Sequence, residues 1–512
     1  MTSLAAAVIQ ECLAAGVDEC CVCAGSRNSE LVRLLLQAPL RVWHFFEERS
    51  AGFFALGRVR VTGRPVASVT TSGTAAAELF PSIIEAHYQG LPLLAITADR
   101  PRRFRGSGAP QSIEQAGLFG DYPSWQMDIE SEDEAEGCLE KWPRSGPAHL
   151  NVCLEEPSQT LALFQPAQLP RWADFFEDIA PVSQPPIDLV MLGDLLPAER
   201  IVVQRLLENW RGPVWAEAAS GLRPWLGDRL LGGGEAGLRR WRGRRILRLG
   251  GVPSCRFWRD LETRLDVDVI SASRSGHSGL ARESEVVEMA SLEPLVGGEP
   301  GGFDDARGIA EKCAKFPLSE CGHLRTLSQK IPEGSALFLG NSLCIRQWNL
   351  AAVIGGAETN CHVMRGANGI DGNLSFFYGI GAECEESWAI VGDLTALYDL
   401  AAPWIRRQLP AGNRRIVIMN NGGGLIFRRL PSLKEMTLQE KPVIENTHDL
   451  RFCAWAEQWG MGYRRITQAS DWDEPLPEGD VVVEILADAA QSEDFWRAMD
   501  EEKRIESNHP EP

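Results

Sequence analysis

The sequence predicts an α/β protein in which two doubly wound, parallel-sheet domains flank a smaller central α/β domain. Its 512 residues are too many for one hydrophobic core. Short apolar runs alternate with helical patterns, as in βαβ units. Segments rich in Pro, Gln, Gly or acidic residues near 160–190 and 297–302 indicate domain boundaries. The predicted domains are residues 1–175, 176–305 and 306–512.

In the first domain, each apolar run is followed by a polar or glycine-containing turn and then by a helical pattern. The runs predict strands at 19–23, 41–46, 65–71, 91–98 and 146–154. The intervening patterns predict helices at 5–15, 30–37, 50–61 and 75–88. Because parallel strands joined by helices end at the same edge of a sheet, the turns that follow these strands should lie together.

The central domain offers three candidate strands, at 214–216, 246–249 and 267–271. The third domain has predicted strands at 336–339, 388–391, 416–419 and 481–486, with a helical pattern at 394–409. A glycine-dense loop covers residues 365–372. No G-x-G-x-x-G sequence opens a helix in this domain, so its glycines do not indicate a dinucleotide site.

The composition, 44% hydrophobic and 24% charged, is ordinary for a globular protein. A net charge of −19 argues against binding to nucleic acid or to an anionic membrane. No stretch approaches the length of a transmembrane span, and the N-terminus lacks the features of a signal peptide. The thirteen scattered cysteines, without metal-ligand spacing, indicate reduced core thiols in a cytoplasmic protein.

Residues 388–424 form a predicted unit of strand, acidic turn, helix, strand and amide turn. Gly392 and Asp393 follow its first strand, and Asn421 follows its second, 28 residues after Asp393. Both turns leave the same sheet edge, where open α/β sheets bind ligands. Asp393 and Asn421 can therefore converge on one hard cation beside glycine-rich backbone that suits a diphosphate. Such turns also occur without a ligand, so the pair alone leaves both interpretations open.

Polar residues also follow the predicted strands of the first domain, namely Arg27, Glu48, Ser72, Gly73 and Arg100. Each has an ordinary structural explanation as a helix cap, a solvated carboxylate at a helix start, or a surface charge. Their shared position at one sheet edge favours a binding site instead.

Together these motifs resemble the 2-succinyl-5-enolpyruvyl-6-hydroxy-3-cyclohexene-1-carboxylate synthases of menaquinone biosynthesis, a family of thiamine-diphosphate-dependent enzymes. The most specific motifs are the runs 97–101 and 392–400, and the central domain matches weakly. The other matching motifs are Gly25-Ser26-Arg27, Glu48-Arg49, Ser72-Gly73-Thr74, Gly340-Asn341-Ser342, Arg365-Gly366-Ala367, Gly369-Ile370-Asp371-Gly372 and Ile426-Phe427.

The resemblance implies a pyrimidine-binding first domain, a diphosphate-binding third domain, and thiamine diphosphate between subunits of a homodimer or a dimer of dimers. Asp393, Asn421 and the Gly423 carbonyl match the ligands of Mg²⁺ (or Mn²⁺). Glu48 matches the glutamate that hydrogen-bonds the aminopyrimidine ring and so promotes deprotonation of the cofactor. The implied cofactor-binding residues are Glu48, Ser72, Gly73, Gly369, Ile370, Gly392, Asp393, Asn421 and Ile426.

The resemblance also implies decarboxylation of 2-oxoglutarate and addition of the remaining succinyl unit to isochorismate, with CO2 as by-product. Both substrates are dicarboxylates, so an acidic protein needs a local cationic pocket to bind them. The implied substrate-binding residues are Ser26, Arg27, Arg100, Gln111, Arg256, Ser342, Arg346, Arg365, Phe427 and Leu430.

The sequence leaves two alternatives. One is another thiamine-diphosphate carboligase or decarboxylase, of the acetohydroxyacid synthase type. The arginine set argues against it, because pyruvate needs fewer cationic partners. The other is a non-catalytic relative, in which Glu48, Asp393 and Asn421 would be free to change, whereas all three are present.

Overall fold

The described part of the chain contains three parallel β-sheets of five or six strands with flanking helices, one in each predicted domain, and a small two-stranded sheet. The computed structural model describes residues 3–156, 184–231, 234–299, 306–433 and 435–508. The predicted α/β class, with two larger sheets on either side of a smaller one, is confirmed. The predicted boundary at 175–176 lies outside the described residues, and residue 305 does so too, so both boundaries stay predictions.

The first sheet has six parallel strands in the order β2-β1-β3-β4-β6-β5. The strands are β1 (Glu19–Cys23), β2 (Arg41–Phe45), β3 (Val66–Thr70), β4 (Leu93–Asp99), β5 (Trp125–Ile129) and β6 (Ala148–Cys153). The helices are α1 (Leu4–Ala14), α2 (Ser29–Leu35), α3 (Glu48–Thr62), α4 (Thr74–Ala77), α5 (Phe80–Gln89) and α6 (Glu132–Ala135). The helix predicted at 75–88 is therefore two helices. The break precedes Pro81, which has no N–H to continue the α-helical ladder.

The central sheet has five parallel strands in the order β12-β11-β10-β7-β9, and β8 pairs separately with β13. The strands are β7 (Leu189–Leu192), β8 (Asn209–Trp210), β9 (Val214–Ala216), β10 (Arg245–Leu249), β11 (Asp268–Ala272), β12 (Glu285–Val287) and β13 (Val296–Gly297). The helices are α7 (Pro197–Leu206), α8 (Arg223–Leu226), α9 (Glu235–Arg240) and α10 (Arg256–Asp260). The predicted linker at 160–190 extends too far, because its last residues belong to the fully buried strand β7.

The third sheet repeats the strand order of the first, as β15-β14-β16-β17-β19-β18. Its strands are β14 (Ala336–Leu339), β15 (Cys361–Val363), β16 (Glu386–Gly392), β17 (Asn413–Met419), β18 (Gly462–Ile466) and β19 (Val481–Ile485). The helices are α11 (Ala306–Lys315), α12 (Glu320–Ser328), α13 (Leu343–Ala351), α14 (Asn373–Ile380), α15 (Asp393–Tyr398), α16 (Glu440–Ile444), α17 (Cys453–Gln458) and α18 (Ala489–Asn508).

One predicted helix of the third domain, at 394–409, is wrong in its length. The α-helix ends at Tyr398, and a separate 3₁₀ segment covers Ala402–Gln408. Pro403 lies at the start of that segment, and it can neither donate to a preceding carbonyl nor follow an α-helical residue without strain.

The two outer domains pack through helices α3 and α14, which cross at a pair of glycines. A Cβ placed at Gly57 would lie 2.4 Å from the carbonyl oxygen of Phe376, and one placed at Gly379 would lie 2.4 Å from the carbonyl oxygen of Phe54. Only glycine allows the two backbones to come this close.

Buried ion pairs attach the central domain to both neighbours. Asp194, which follows β7, binds Arg60 of α3 (Nη1–Oδ2 2.8 Å) and Arg274 (Nη2–Oδ2 3.0 Å). Arg223 of α8 pairs with Glu358 of the third domain (Nε–Oε2 3.0 Å). Loss of one partner would leave a buried charge uncompensated, so these pairs hold the three sheets in a fixed arrangement.

The thirteen cysteines are all free thiols, and eleven of them are buried, as the sequence predicted. Within the described parts of the chain, we find no helix with the length and apolar character needed to cross a membrane.

Candidate active site

The acidic and amide turns of the third sheet meet, as the sequence predicted. Asp393 begins α15 directly after β16, and its Oδ2 accepts hydrogen bonds from the backbone N–H groups of Asn421 (3.1 Å), Gly422 (2.8 Å) and Gly423 (3.0 Å). Burial raises the pKa of the Asp393 carboxyl. The N–H of Leu394, the charge of His448 and the N–H groups of Gly423 and Gly422 oppose that rise. The neighbouring strands β16 and β17 thus bring both turns to one point.

In the side-chain amide of Asn421, the nitrogen has a hydrogen-bond partner and the oxygen has none among the described residues. Its Nδ2 donates to Glu320 (2.6 Å), whereas its Oδ1 is buried and has no hydrogen-bond partner among the described residues. Gly423 has a φ of +143°, and a Cβ there would lie 2.6 Å from the carbonyl oxygen of Glu445. A carboxylate, an unpartnered amide oxygen and a glycine-specific backbone carbonyl fit the oxygen ligands that Mg²⁺ prefers.

The glycine-dense loop is fixed from two sides. Asn341, which follows β14, donates from Nδ2 to the carbonyl oxygens of Met364 (2.7 Å) and Gly369 (2.7 Å). Glu85 of α5 accepts from the N–H groups of Gly366 (2.6 Å) and Ala367 (2.6 Å). These contacts hold the predicted cofactor residues Gly369 and Ile370 in place. Two others lie in the neighbouring turns, Gly392 at the start of α15 and Ile426 in the 3₁₀ turn Leu425–Arg429.

Glu48 lies in the first turn of α3 and is half-buried. The preceding residue, Glu47, caps the helix by accepting from the N–H groups of Arg49 (3.1 Å) and Ser50 (2.9 Å). Burial raises the pKa of the Glu48 carboxyl, and the charges of Glu47 and Glu78 raise it further. A carboxyl of this kind is suited to sharing a proton with a ligand.

Ser72 and Gly73 follow β3, and Ser72 is buried. Gly73 has a φ of +88°, and a Cβ there would lie 3.3 Å from the Cα of Gln111. Gln111 itself has a φ of +57°. The predicted cofactor residue Gly73 and the predicted substrate residue Gln111 are therefore neighbours.

One residue of this region, Gln115, was missed by the sequence analysis. It is fully buried, accepts from the N–H of Gly73 (3.1 Å) and donates to the carbonyl oxygen of Ala98 (3.0 Å) and to Asn151 (2.8 Å). Its sequence context carries no signal for this role, since the partners lie on β4, on β6 and in the turn after β3.

The first domain places two predicted arginines in its turns. Arg27 is buried and donates to the carbonyl oxygen of Leu154 (3.0 Å) and to Glu156 (2.7 Å), while the neighbouring Ser26 is exposed. Arg100 donates from Nε to the carbonyl oxygen of Pro110 (2.8 Å) and so holds the loop that carries Gln111.

The third domain places two more arginines near each other. Arg346 of α13 donates to the carbonyl oxygen of Ser342, which has the unusual φ of +67°. Arg346 is exposed, but the surrounding protein partly desolvates its guanidinium and so lowers its pKa, and the charge of Arg365 lowers it further. Arg365 has a buried Nε without a hydrogen-bond partner in the described structure. Two guanidinium groups in this setting favour an anionic ligand.

Arg256 lies at the start of α10, and its guanidinium pairs with Asp260 of the same helix (Nε–Oδ1 3.4 Å). The charge that acts on Arg346 from this helix is that of Arg259. Arg259 lies one helical turn beyond Arg256. Among the features of the sequence, only this spacing could have indicated that Arg259 lies near the site. Phe427 and Leu430, two of the predicted substrate-binding residues, lie at the 3₁₀ turn after Gly424, and Leu430 is 38% exposed.

Comparison with known proteins agrees with this geometry. Residues 2–118 match a family model described as thiamine pyrophosphate enzyme, N-terminal TPP binding domain. The chain is 40% identical over 519 residues to the 2-succinyl-5-enolpyruvyl-6-hydroxy-3-cyclohexene-1-carboxylate synthase of Akkermansia muciniphila, which covers 96% of this chain and 97% of that protein. Proteins of the same name from Bdellovibrio bacteriovorus and Rubrobacter xylanophilus are 37% and 32% identical, and the matches cover 97% and 89% of this chain and 98% and 89% of theirs.

The fold and the site therefore define a thiamine-diphosphate-dependent enzyme. Within that class, the chain belongs to the family of 2-succinyl-5-enolpyruvyl-6-hydroxy-3-cyclohexene-1-carboxylate synthases. This membership favours neither the acetohydroxyacid synthase type nor a non-catalytic relative.

Proposed function

We propose that the protein is a transferase that joins 2-oxoglutarate, after its decarboxylation, to isochorismate, giving 2-succinyl-5-enolpyruvyl-6-hydroxy-3-cyclohexene-1-carboxylate. The observation that carries this proposal is the unpartnered Asn421 oxygen beside Asp393, in a chain that belongs to this synthase family. The reduced, buried thiols support a cytoplasmic location.

Thiamine diphosphate, when bound, would supply a nucleophilic carbon for the keto group and an acceptor for the electron pair released with CO2. In this proposal Asp393, Asn421 and the Gly423 carbonyl hold Mg²⁺ (or Mn²⁺) beside the diphosphate. Glu48 holds a proton at its carboxyl and shares it with the aminopyrimidine ring. The raised pKa of Glu48 supports that role, because a desolvated carboxyl keeps its proton more readily.

The arginines bind and orient the two dicarboxylates. Arg346 and Arg365 are the best supported, since the charge of Arg365 lowers the pKa of Arg346 and the buried Nε of Arg365 has no hydrogen-bond partner among the described residues. Arg27 and Arg100 belong to the first domain and, in this proposal, supply further positive charge to the pocket. Separate cationic contacts are needed because two dianions repel each other. Ser26, Gln111, Arg256, Ser342, Phe427 and Leu430 complete the proposed substrate pocket.

We also propose that the active unit is a homodimer, or a dimer of dimers, with cofactor sites between subunits. The charges that act on Glu48 belong to its own domain, whereas Asp393 accepts hydrogen bonds from residues 421–423 of the third domain. Apolar side chains lie exposed near Glu48: Phe46 is 57% exposed and Tyr398 is 52% exposed. Tyr398 is tied to Glu48's neighbour, Arg49, which donates to its carbonyl oxygen (3.0 Å). A second copy would cover this apolar surface.

The direct test is to incubate the protein with 2-oxoglutarate, isochorismate, thiamine diphosphate and Mg²⁺ and to identify the product by mass. Omission of each component in turn, and replacement of both substrates by pyruvate, are the controls. We expect the succinyl-bearing cyclohexene only in the complete mixture. A product in the pyruvate control, together with unchanged isochorismate in the complete mixture, would overturn the proposal and favour an acetohydroxyacid synthase type.

The substrate pocket is tested by Arg346→Ala and Arg365→Ala. Loss of one charge-assisted contact costs about 1.5–3 kcal/mol, or roughly 10- to 150-fold in kcat/KM. Arg103→Ala is the matched control, because Arg103 is exposed and paired with Glu155. Both pocket variants should keep normal cofactor affinity, whereas wild-type kinetics with isochorismate in both would remove these arginines from the pocket.

A further inference from the structure

A buried glutamate, Glu320, lies directly behind the proposed cation site. It occupies the first turn of α12, and it is only 4% exposed. Ser319 caps this helix by accepting from the N–H of Gly322 (3.0 Å), and the N–H of Glu320 donates to Ser492 (3.2 Å). The backbone that carries the carboxylate is therefore fixed.

Both oxygens of Glu320 accept hydrogen bonds from side-chain amides. Oε1 accepts from Asn421 Nδ2 (2.6 Å), and Oε2 accepts from Gln347 Nε2. Because Oε1 of Glu320 accepts from Nδ2, the NH2 group of Asn421 faces Glu320. Its Oδ1 then points away from Glu320, and this is the buried oxygen without a partner.

We infer that Glu320 is a positioning residue, which fixes the side-chain amide of Asn421 so that its oxygen, and not its nitrogen, faces the cation. The inference rests on the cation site proposed above. It assigns to Glu320 a role that the sequence motifs around Asp393 and Asn421 do not contain.

The physical reason is the asymmetry of an amide. An aspartate presents an oxygen in either orientation, whereas an asparagine rotated by half a turn presents N–H donors, which repel a cation. Residues that orient metal ligands through hydrogen bonds typically change metal affinity about 10- to 100-fold when they are removed. We expect a loss in this range for Glu320→Leu, which removes the acceptor and keeps the site apolar.

Glu320→Gln separates orientation from charge. A glutamine oxygen can still accept from Asn421, and its NH2 group can donate to Gln347 Oε1, which has no partner in the described structure. Glu320→Gln should therefore bind Mg²⁺ far better than Glu320→Leu. Equal losses in the two variants would show that only charge matters and would overturn the inference. Gln347→Leu is the matched control, because it removes the other buried amide and leaves Asn421 held.

The deciding experiment is a double-mutant cycle with Asn421→Asp. Mg²⁺ binding is measured by calorimetry on the full-length protein with thiamine diphosphate present, and the melting temperature without Mg²⁺ reports on folding. In the Asn421→Asp background, Glu320→Leu should leave Mg²⁺ affinity unchanged or raise it, because orientation no longer matters and a repelling carboxylate is removed. An equal loss in both backgrounds would mean a merely structural role and would overturn the inference.

Two further outcomes separate this inference from the proposed function. If the wild type binds Mg²⁺ and Asp393→Ala does not, the cation site stands, and the cycle alone decides the role of Glu320. If the wild type and Asp393→Ala bind Mg²⁺ equally, the cation site is wrong, and the inference fails with it.

Discussion

The backbone at Gly423 offers a sharp test of the cation site. Gly423→Ala places a Cβ 2.6 Å from the carbonyl oxygen of Glu445, in a residue with a φ of +143°. Overpacking of this kind costs about 1–3 kcal/mol, and a strained φ costs a further 1–3 kcal/mol or so. The clash is with backbone, so relief requires rotation of the 423 peptide, which also carries the carbonyl proposed as a ligand.

If only the Mg²⁺-bound form must keep that carbonyl in place, the strain in the variant opposes Mg²⁺ binding. A strain of even about 2 kcal/mol then corresponds to roughly a 30-fold loss of Mg²⁺ affinity. Titration of thiamine diphosphate binding with Mg²⁺, followed by tryptophan fluorescence, measures the loss. Gly63→Ala is the control, because Gly63 has a φ of +68° with no atom within 4 Å of its Cβ position and ends α3 away from the site. Wild-type Mg²⁺ dependence in Gly423→Ala would refute the assignment of this carbonyl.

Three other variants test the remaining parts of the argument. Glu48→Gln should slow hydrogen exchange at C2 of bound thiamine diphosphate about 10²–10⁴-fold by NMR, and normal exchange would exclude Glu48 from proton transfer. Burial raises the pKa of Asp399 from 3.8 to about 6, so the folded state binds an extra proton between these values and stability falls as pH rises through them. Urea unfolding should give the wild type about 1 kcal/mol more stability at pH 5.5 than at pH 7.5 from this group, and Asp399→Asn should remove that difference. Gly57→Ala should destabilise the protein by about 1–3 kcal/mol. Gly355→Ala should not, because no atom lies closer than 4.0 Å to a Cβ placed there. Equal free energies of unfolding for the two variants would refute the close helix crossing.

Most of the strands that the sequence predicted correctly lie inside the sheets, although the edge strands β2 and β9 were also predicted. Runs such as β3, β14 and β17 are almost fully buried, so hydrophobic pattern alone identifies them. The convergence of Asp393 with Asn421 was also predictable, because parallel strands joined by a helix must end at one edge.

The strands that the sequence analysis missed include sheet edges, where one neighbour is absent and apolar pattern weakens. β5 and β18 are such edges, and both carry polar, partly exposed residues. β7 was missed for another reason, since it follows a Pro-rich segment that was extended over it. Interdomain ion pairs such as Arg60–Asp194, separated by 134 residues, have no local sequence signal at all.

The two outer sheets share one strand order, and this explains why the cofactor motifs could be recognised from the sequence. The residues that hold these motifs in place could not be recognised. Motifs lie in turns at the ends of strands, so each is continuous in sequence and the topology brings it to the sheet edge. The residues that orient those turns come from elsewhere: Gln115 reaches Gly73 across 42 residues, and Glu320 reaches Asn421 across 101. Each of these side chains is buried and makes a hydrogen bond with a polar group of the turn. Without that partner the folded protein would be less stable, or the polar group would take another orientation. Short sequence motifs therefore supply the functional groups of such a site. The geometry of the site depends on isolated buried residues, which only the fold brings next to those motifs.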